Sequence, residues 1–149
     1  MHHNYIVVIE IPKGSDRRTH MAYDKSGFVD LGSIKDSIPV NNGIMPVHYG
    51  YIEGTFNKED SDEVDVMVFS KKAYGMGDKV TVAVTGIFKR ADGDHKIIAF
   101  DDTFEHFVFE KFPTDEQKVI LDFMGYKAKI ISIENREVAM EYIKSCLRK

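Results

Sequence analysis

Short runs of apolar and β-branched residues alternate with polar turn residues over the first two thirds of the chain. The clearest runs lie at residues 5–11, 64–70, 79–90 and 95–100. Runs of this length and composition, bounded by turn residues, predict β-strands. Residues 17–44 give weaker signals, and we expect short strands joined by loops there. The first two thirds of the chain are therefore predicted to be mainly β.

The pattern changes to helical spacing in the last third. Apolar residues between positions 102 and 111 fit one face of a helix. Thr114 and Gln117 have the spacing of a capping box, in which two side chains satisfy free backbone N–H groups at a helix start. This spacing predicts a second helix that runs through about Met124.

Two more elements are predicted near the C-terminal end. Residues 127–133 alternate as in a short strand, and Asn135 is placed to cap a last helix. Strands followed by helices indicate an α+β fold, and we expect a small antiparallel barrel with helices packed outside it. Because no repeat or linker divides the sequence, residues 1–149 are interpreted as one domain.

Composition and charge narrow the function classes. The chain has 20 Lys and Arg against 24 Asp and Glu, a formal net charge of -4. No broad cationic surface is available for nucleic acid phosphates, so we expect no nucleic acid partner. No segment approaches the ~18 apolar residues of a membrane span, and we expect no membrane partner. The single cysteine, Cys146, cannot form an internal disulfide and fits a reducing compartment such as the cytoplasm.

The most informative segment is acidic. Five of the seven residues at positions 59–65 are Asp or Glu, and they repel one another unless solvent or cations intervene. A solvated acidic loop is one interpretation. Asp65, however, begins a run in which strand alternation puts Val64, Val66 and Val68 on one face and Asp65 with apolar residues on the other. A carboxylate in such company needs a partner or a metal ion, so a divalent-cation site is the second interpretation.

Two further sets of charged residues stand near predicted strands. Asp92, Asp94 and Lys96 are spaced two apart along a turn and strand, so they can share one face. A solvated hairpin turn is the alternative. Glu10 lies between Ile9 and Ile11 on the first predicted strand, either as a buried acid or as an exposed position on an edge strand.

The residues match a known family in several places. The segment Asp60-Ser61-Asp62-Glu63-Val64-Asp65 resembles the Asp-x-Asp-x-x-Asp signature of the soluble family I inorganic pyrophosphatases. Residues 7–12 resemble that family's opening strand, and residues 49–52 resemble the segment that leads into the signature. Residues 86–96 resemble a later strand pair with more acids and a lysine, and Tyr126-Lys127 resembles a phosphate-binding pair. The matches follow in the correct order over most of the chain.

This resemblance implies a closed five-stranded barrel of OB-like shape with flanking helices. It also implies hydrolysis of pyrophosphate to two orthophosphates with several Mg²⁺ ions, or with Mn²⁺ in their place, by a homo-oligomeric enzyme. Metal ions and a metal-activated water suit such chemistry, because they neutralise phosphate charge and supply a nucleophile near neutral pH.

Site residues are carried over by matching position. The implied metal ligands are Asp60, Asp65, Asp92 and Asp94. Asp62 would orient or deprotonate the attacking water, and Glu10 would support the site from behind the metal ligands. The residues implied to contact phosphate oxygens are Tyr49, Lys96, Tyr126 and Lys127. Asp62, Lys96 and Tyr49 form the implied catalytic set.

Several positions depart from the family pattern, mostly on the phosphate-binding side. His20-Met21-Ala22 stands where the family has Lys-x-Glu, Leu31 where it has an arginine, and Met45 where it has a tyrosine. The turn at residues 91–94 is shorter than in many relatives. An extra residue upstream could bring Arg18 or His20 to the vacant place, although exposed arginines are common.

These departures leave three functions open. The first is a Mg²⁺-dependent pyrophosphatase, with full or reduced activity. The second is a related phosphohydrolase that prefers another phosphoanhydride, because Leu31 and Met45 suit a less charged substrate portion. The third is a non-catalytic OB-like binding or regulatory protein, although OB surfaces that bind nucleic acid carry aromatic and basic residues rather than acids.

Overall fold

The structure, a computed structural model, describes residues 4–22, 24–57 and 62–147. Over these residues the chain forms strands and helices with the following bounds. The strands are β1 (Asn4–Ile11), β2 (Arg17–Met21), β3 (Phe28–Ser33), β4 (His48–Ile52), β5 (Asp65–Phe69), β6 (Lys79–Arg90), β7 (Lys96–Phe100) and β8 (Ile130–Asn135). The α-helices are α1 (Thr114–Met124) and α2 (Arg136–Ser145), and short 3₁₀ turns lie at Ile34–Asp36, Val40–Gly43 and Phe109–Lys111.

Five strands close into a barrel in the order β1-β4-β5-β7-β6, because β6 also pairs with β1. β8 extends the sheet beyond β6, and β2 and β3 form a separate hairpin. The predicted closed five-stranded barrel with flanking helices is confirmed. The prediction that it is purely antiparallel is wrong, because β5 and β7 are parallel. A closed ring with an odd number of strands cannot alternate direction at every step, so a parallel pair is required.

The parallel strands β5 and β7 are buried on both faces. One apolar cluster joins the five strands to α2 and contains Val64, Val66 and Val68. The second cluster lies on the opposite face of β5, β6 and β7 and includes Met67 of β5 and Phe123 of α1. The two clusters confirm the alternation predicted for residues 64–69. Asp65 and Lys96, at the starts of β5 and β7, therefore lie beside apolar groups rather than in open solvent.

The helix predicted within residues 102–111 is not formed, apart from the single 3₁₀ turn at its end. Its aromatic side chains pack individually against the second cluster instead. The ring of Phe107 stacks on Phe69 with centroids 4.3 Å apart, and Phe109 contacts Phe88 edge-on at 5.0 Å. Aromatic contacts with distant strands thus override a local helical spacing.

Both helices start at the predicted positions, but only one of the two predicted side-chain caps forms. α1 covers the predicted span, but its N-cap residue is Pro113 and no side chain caps it. Gln117 donates to the carbonyl of Phe112 at 2.6 Å, so the predicted capping box is wrong. Asn135 does cap α2, because its side chain accepts from the Val138 N–H at 3.1 Å. Within the described ranges no helix has the length and apolar content that crossing a membrane requires.

Candidate active site

A cavity of about 360 Å³, here called the pocket, opens on the outer face of the barrel beside the second cluster. Five acids predicted as site residues line it, namely Glu10, Asp62, Asp65, Asp92 and Asp94. Tyr49, Lys96 and Lys127 also line it. Asp60 lies outside the described residues. Tyr126 is not part of the described lining, and its side chain is 53% exposed just beyond the end of α1.

The ammonium of Lys96 forms the centre of the pocket. Parallel pairing of β5 and β7 puts Lys96 directly opposite Asp65. Lys96 Nζ donates to Asp65 Oδ2 at 2.7 Å, to Asp94 Oδ2 at 3.0 Å and to Tyr49 Oη at 2.6 Å. Since the side chain is almost fully buried, these short charge-assisted bonds offset the cost of removing the ammonium from water.

Strand β4 brings Tyr49 to this centre. β4 lies unusually close to β1 at the next residue, because a Cβ on Gly50 would meet the Val8 carbonyl oxygen at 1.9 Å. Only glycine permits this approach. Lys96 contacts both the Tyr49 hydroxyl and the Asp65 carboxylate, so the ammonium brings these two groups together.

Burial and neighbouring charges set the protonation of these groups. Burial raises the pKa of Asp65, and the Asp94 carboxylate raises it further against the attraction of Lys96. Burial alone would lower the pKa of Lys96, but Asp65 and Asp94 raise it above its ordinary value. Burial and the same two acids raise the pKa of Tyr49 well above its ordinary value. Lys96 therefore stays a cation and Tyr49 a neutral hydrogen-bond donor.

The turn between β6 and β7 holds two of the acids. Gly93 has φ +80°, a left-handed conformation that favours glycine. The Asp94 N–H donates to Asp92 Oδ1 at 3.0 Å, which fixes the Asp92 side chain over the turn. A short turn thus projects both carboxylates towards the pocket, where Asp94 meets Lys96.

Sequence reasoning does not single out Arg90, although it lines the pocket. Its side chain is 7% exposed. The guanidinium lies 3.4 Å from Asp92 Oδ2 and 3.7 Å from Asp94 Oδ2, and Nη1 donates to the Asp94 carbonyl at 3.3 Å. The available signal was its position two residues beyond Phe88 on the same strand face and two residues before Asp92.

On the opposite side of the pocket, β2 brings His20 against two acids. His20 Nε2 lies 2.9 Å from Asp62 Oδ2 and 3.8 Å from Glu10 Oε2. The hydrogen bond to Asp62, together with the charge on Glu10, raises the pKa of His20 to about 9 despite burial. The His20 side chain is therefore a cation near neutral pH.

Glu10 is buried, so the exposed edge-strand interpretation is wrong. Its side chain accepts from the Met21 N–H at 2.8 Å and is only 4% exposed. Burial raises its pKa to about 7, although the bond from Met21 and the charge on His20 act in the opposite direction. Glu10 connects β1 to β2 beneath His20.

The chain is similar to known proteins over nearly its whole length. The model of the inorganic pyrophosphatase family matches residues 7–149. This chain belongs to the inorganic pyrophosphatase family. An inorganic pyrophosphatase of Ureaplasma parvum is 29% identical over 155 residues, covering 95% of this chain and 82% of that protein. One of Leifsonia xyli is 36% identical over 98 residues, covering 64% and 56%.

Solved structures agree on the fold. The inorganic pyrophosphatase of Ehrlichia chaffeensis superposes with a TM-score of 0.83 at 24% identity, covering 97% of this chain and 93% of that one. The enzyme of Thermus thermophilus gives 0.79 at 21% identity, covering 96% and 88%. The closed barrel and its helices are therefore the family's architecture.

One side of the pocket, beside the β2–β3 hairpin, has an apolar wall. Leu31 and Met45 both line the pocket, at positions where the resemblance leads one to expect an arginine and a tyrosine. Met45 is buried in the second cluster, whereas Leu31 is 54% exposed. Ile34 and Phe123 continue the wall. Arg18 and His20 also line the pocket, so two cations stand on the side where the family cations are missing.

The carboxylates of the pocket have the donor chemistry of a hard-cation site. The family implies use of a divalent metal. Asp65, Asp92 and Asp94 turn carboxylates to one cavity, and carboxylate oxygens suit Mg²⁺. Among the described residues no three acids, histidines or cysteines converge closely enough to enclose a metal ion. Arg90 contacts Asp92, and Lys96 contacts Asp94. The donor set fits the metal, with these two cations as competing partners.

Proposed function

We propose that this chain hydrolyses inorganic pyrophosphate to two orthophosphates in the pocket. Membership of the inorganic pyrophosphatase family supports this reaction. The observation that carries the proposal is the buried Lys96, held by Asp65, Asp94 and Tyr49 at positions that match the family's motifs. The buried ammonium of Lys96 is surrounded by acids and open to a cavity. Such a site suits a small polyanion that binds together with its counter-ions.

Divalent cations supply one part of the chemistry when bound: they lower the pKa of the attacking water and neutralise charge on the departing phosphate. We propose Mg²⁺ as that cation. Asp65, Asp92 and Asp94 would hold it, with Asp60 as a fourth ligand by resemblance. Their shared cavity and oxygen chemistry support this assignment.

Asp62 is the proposed group that orients the attacking water and accepts its proton. Its side chain is about one-third exposed and lines the pocket, so water can reach it. His20 contacts the second oxygen of this carboxylate and limits its rotation. General bases of this kind act within hydrogen-bond distance of the proton that they take.

Phosphate binding falls to the cations and hydroxyls of the pocket. Lys96 is proposed to contact phosphate, with Tyr49 as a neutral donor beside it. Lys127, three residues beyond the end of α1, also lines the cavity. Tyr126 remains a prediction by resemblance only. Arg18 and His20 are proposed to take over part of the role of the missing family cations.

A second candidate function rests on the apolar wall. Ile34, Met45 and Phe123 line the same pocket as the charged groups. A phosphoanhydride with an apolar portion would cover this wall, whereas bare pyrophosphate would leave it in contact with water.

We also propose that residues 1–149 form a single domain, that the protein is cytoplasmic and that it is a homo-oligomer.

Phosphate release decides between these functions. The chain is incubated with pyrophosphate, with nucleoside triphosphates and with organic diphosphates, each with Mg²⁺, with Mn²⁺ or without metal. We expect release from pyrophosphate with Mg²⁺ and no release without metal. Faster release from an organic diphosphate would favour the second candidate. Release from no substrate, by a folded protein that binds pyrophosphate, would favour a non-catalytic binding protein.

A further inference from the structure

Arg90 is a buried cation whose present partners do not satisfy it. Its contacts to Asp92, to Asp94 and to the Asp94 carbonyl lie between 3.3 and 3.7 Å. Charge-assisted bonds between a guanidinium and a carboxylate are usually 2.7–2.9 Å long, roughly half an ångström shorter. No described atom accepts a hydrogen bond from Arg90 Nε, which is itself buried. Arginine is rarely buried to this degree without a firm partner.

The fold aims this side chain at the pocket. On β6, Phe88 pairs with Lys96 of β7, and Phe88 packs in the second cluster on the outer face of the barrel. Residues two apart on a strand point to the same side, so Arg90 leaves the strand on the face that carries Lys96. Both side chains line the same cavity.

The two neighbouring acids have other partners. Asp94 binds Lys96 at 3.0 Å, closer than it approaches Arg90. Asp92 accepts from the Asp94 N–H within the turn. If both acids serve divalent cations, as the proposed function holds, Nη1 keeps its bond to the Asp94 carbonyl and the guanidinium is left with unused N–H groups on Nε and Nη2. These groups form a fork that matches two oxygens of one phosphate group.

We propose that Arg90 binds a phosphoryl group of the substrate and takes the place of the arginine that Leu31 has replaced. The inference rests on the proposed function for the identity of the substrate. Leu31 and Arg90 line the same pocket from different elements, the β2–β3 hairpin and the end of β6. The cation has thus moved from an exposed hairpin to a buried strand end.

The test measures binding and turnover separately in the intact chain. Imidodiphosphate, an analogue whose bridge resists hydrolysis, is titrated calorimetrically with Mg²⁺ into the wild type, Arg90→Gln, Arg90→Lys and Lys89→Gln. The last variant removes a positive charge from the neighbouring position of the same strand, whose side chain points to the other face. KM and kcat for pyrophosphate and the melting temperature are measured on the same samples.

We expect Arg90→Gln to weaken imidodiphosphate binding and to raise KM by about 10- to 100-fold, the scale of a charge-assisted hydrogen bond. Arg90→Lys keeps the charge without the fork and should weaken binding by roughly three- to tenfold. Lys89→Gln should bind as the wild type does. Unchanged binding in Arg90→Gln would overturn the proposal and leave Arg90 a support of the turn.

The test still gives an answer if Arg90→Gln does not fold or if the wild type is inactive. If Arg90→Gln does not fold, Arg90→Lys decides, because a folded lysine variant with wild-type affinity would contradict the need for the fork. If the wild type releases no phosphate from pyrophosphate, the proposed function fails, and the imidodiphosphate titration still decides the role of Arg90. A wild type that binds no imidodiphosphate would overturn the role of Arg90 as well.

Discussion

The pocket has two sides that differ in how they are built. The strand side consists of Tyr49, Asp65 and Lys96, which stand on β4, β5 and β7 of the closed barrel. The hairpin side consists of His20 and Leu31, which stand on the separate β2–β3 hairpin. On the strand side every group is fixed by short hydrogen bonds and stands where the resemblance predicts it, whereas on the hairpin side the residues differ from those that the resemblance predicts.

The difference follows from what each side must satisfy. Replacing one member of the buried cluster around Lys96 leaves a charge without its partner, at a cost of about 3–5 kcal/mol. A residue such as Leu31, which is more than half exposed, can change for about 0.5 kcal/mol or less. The strand side therefore resists substitution for reasons of stability as well as chemistry, and the hairpin side is open to changes in substrate binding.

The largest effect is expected from Asp62→Asn, which keeps the shape of the side chain and removes its ability to accept a proton. We expect kcat for pyrophosphate to fall by about 10²–10⁴-fold, the usual contribution of a general base. Asp62 is partly exposed, so the urea midpoint should change little. Asp102→Asn removes a carboxylate whose side chain is 87% exposed and serves as the control. Near-normal turnover in Asp62→Asn would remove this residue from the mechanism.

Lys96→Met tests the strand side through stability. It leaves Asp65 and Asp94 together without their cation, and we expect the free energy of unfolding of the metal-free protein to fall by about 3–5 kcal/mol at pH 7. Urea denaturation measures this loss. Adding Asp65→Asn to the same variant removes one of the two carboxylate charges that have lost their cation, and it should restore most of the stability. A single variant as stable as the wild type would show that the cluster does not hold the barrel together.

Lys127→Ala addresses a cation that the strand side does not supply. With few cations on the hairpin side, Lys127 should carry a large share of phosphate binding, and kcat/KM should fall by about 10- to 100-fold. Lys129→Ala, two residues along the same exposed segment, is the matched control. Equal loss in both variants would indicate general charge attraction rather than a contact by Lys127.

Leu31→Arg restores the family cation on the hairpin side. If the side chain reaches phosphate, kcat/KM for pyrophosphate should rise by about tenfold, the value of one hydrogen bond to a charged group. Leu31→Gln has similar length without charge and should leave the rate near that of the wild type. A fall in activity with arginine would mean that the apolar wall is itself used by the substrate.

The smallest effect is a pH dependence that arises on the hairpin side. The pKa of His20 is about 9 in the folded protein against 6.5 ordinarily. The stability from its contacts is therefore fully present below pH 6.5 and is lost as pH rises to 9. The pKa of Glu10 is also raised, to about 7 from its ordinary 4.5. Its contribution to stability is likewise lost as pH rises, between pH 4.5 and 7.

Because the His20 side chain is 41% exposed, we expect its contribution to be about 1 kcal/mol or less. Urea midpoints of the wild type and of His20→Gln should converge between pH 6.5 and 9. His106→Gln replaces an exposed histidine outside the pocket and should keep a constant difference from the wild type. A constant difference for His20→Gln would contradict the assignment.

Much of the barrel could be predicted from the sequence because its elements are local. The strands β1, β5, β6 and β7 follow from short apolar runs, and the turn at residues 91–94 follows from its Asp-Gly pair. Likewise, the burial of Asp65 follows from simple alternation. The path of residues 102–111 could not be predicted in this way, because its aromatic rings pack on strands far away in the chain.

Site residues could be predicted where the residue type in its sequence context indicates a chemical role. Acids in apolar company point to a charged site, and Asp65 and Asp94 do lie together in the pocket. Arg90 gave no such signal, because an arginine at a strand end is usually solvated. Only the closure of β6 against β7 and β8 makes that position an interior one.

The connections within the lysine cluster span long stretches of chain. Lys96 is 31 residues from Asp65 and 47 residues from Tyr49. Each contact closes a long loop, whose entropic cost is met only when the strands between are already in register. We therefore expect the pocket to be one of the last features to form. In refolding from urea, enzymatic activity should return with the slowest spectroscopic phase, and a chain with an incomplete barrel should have none.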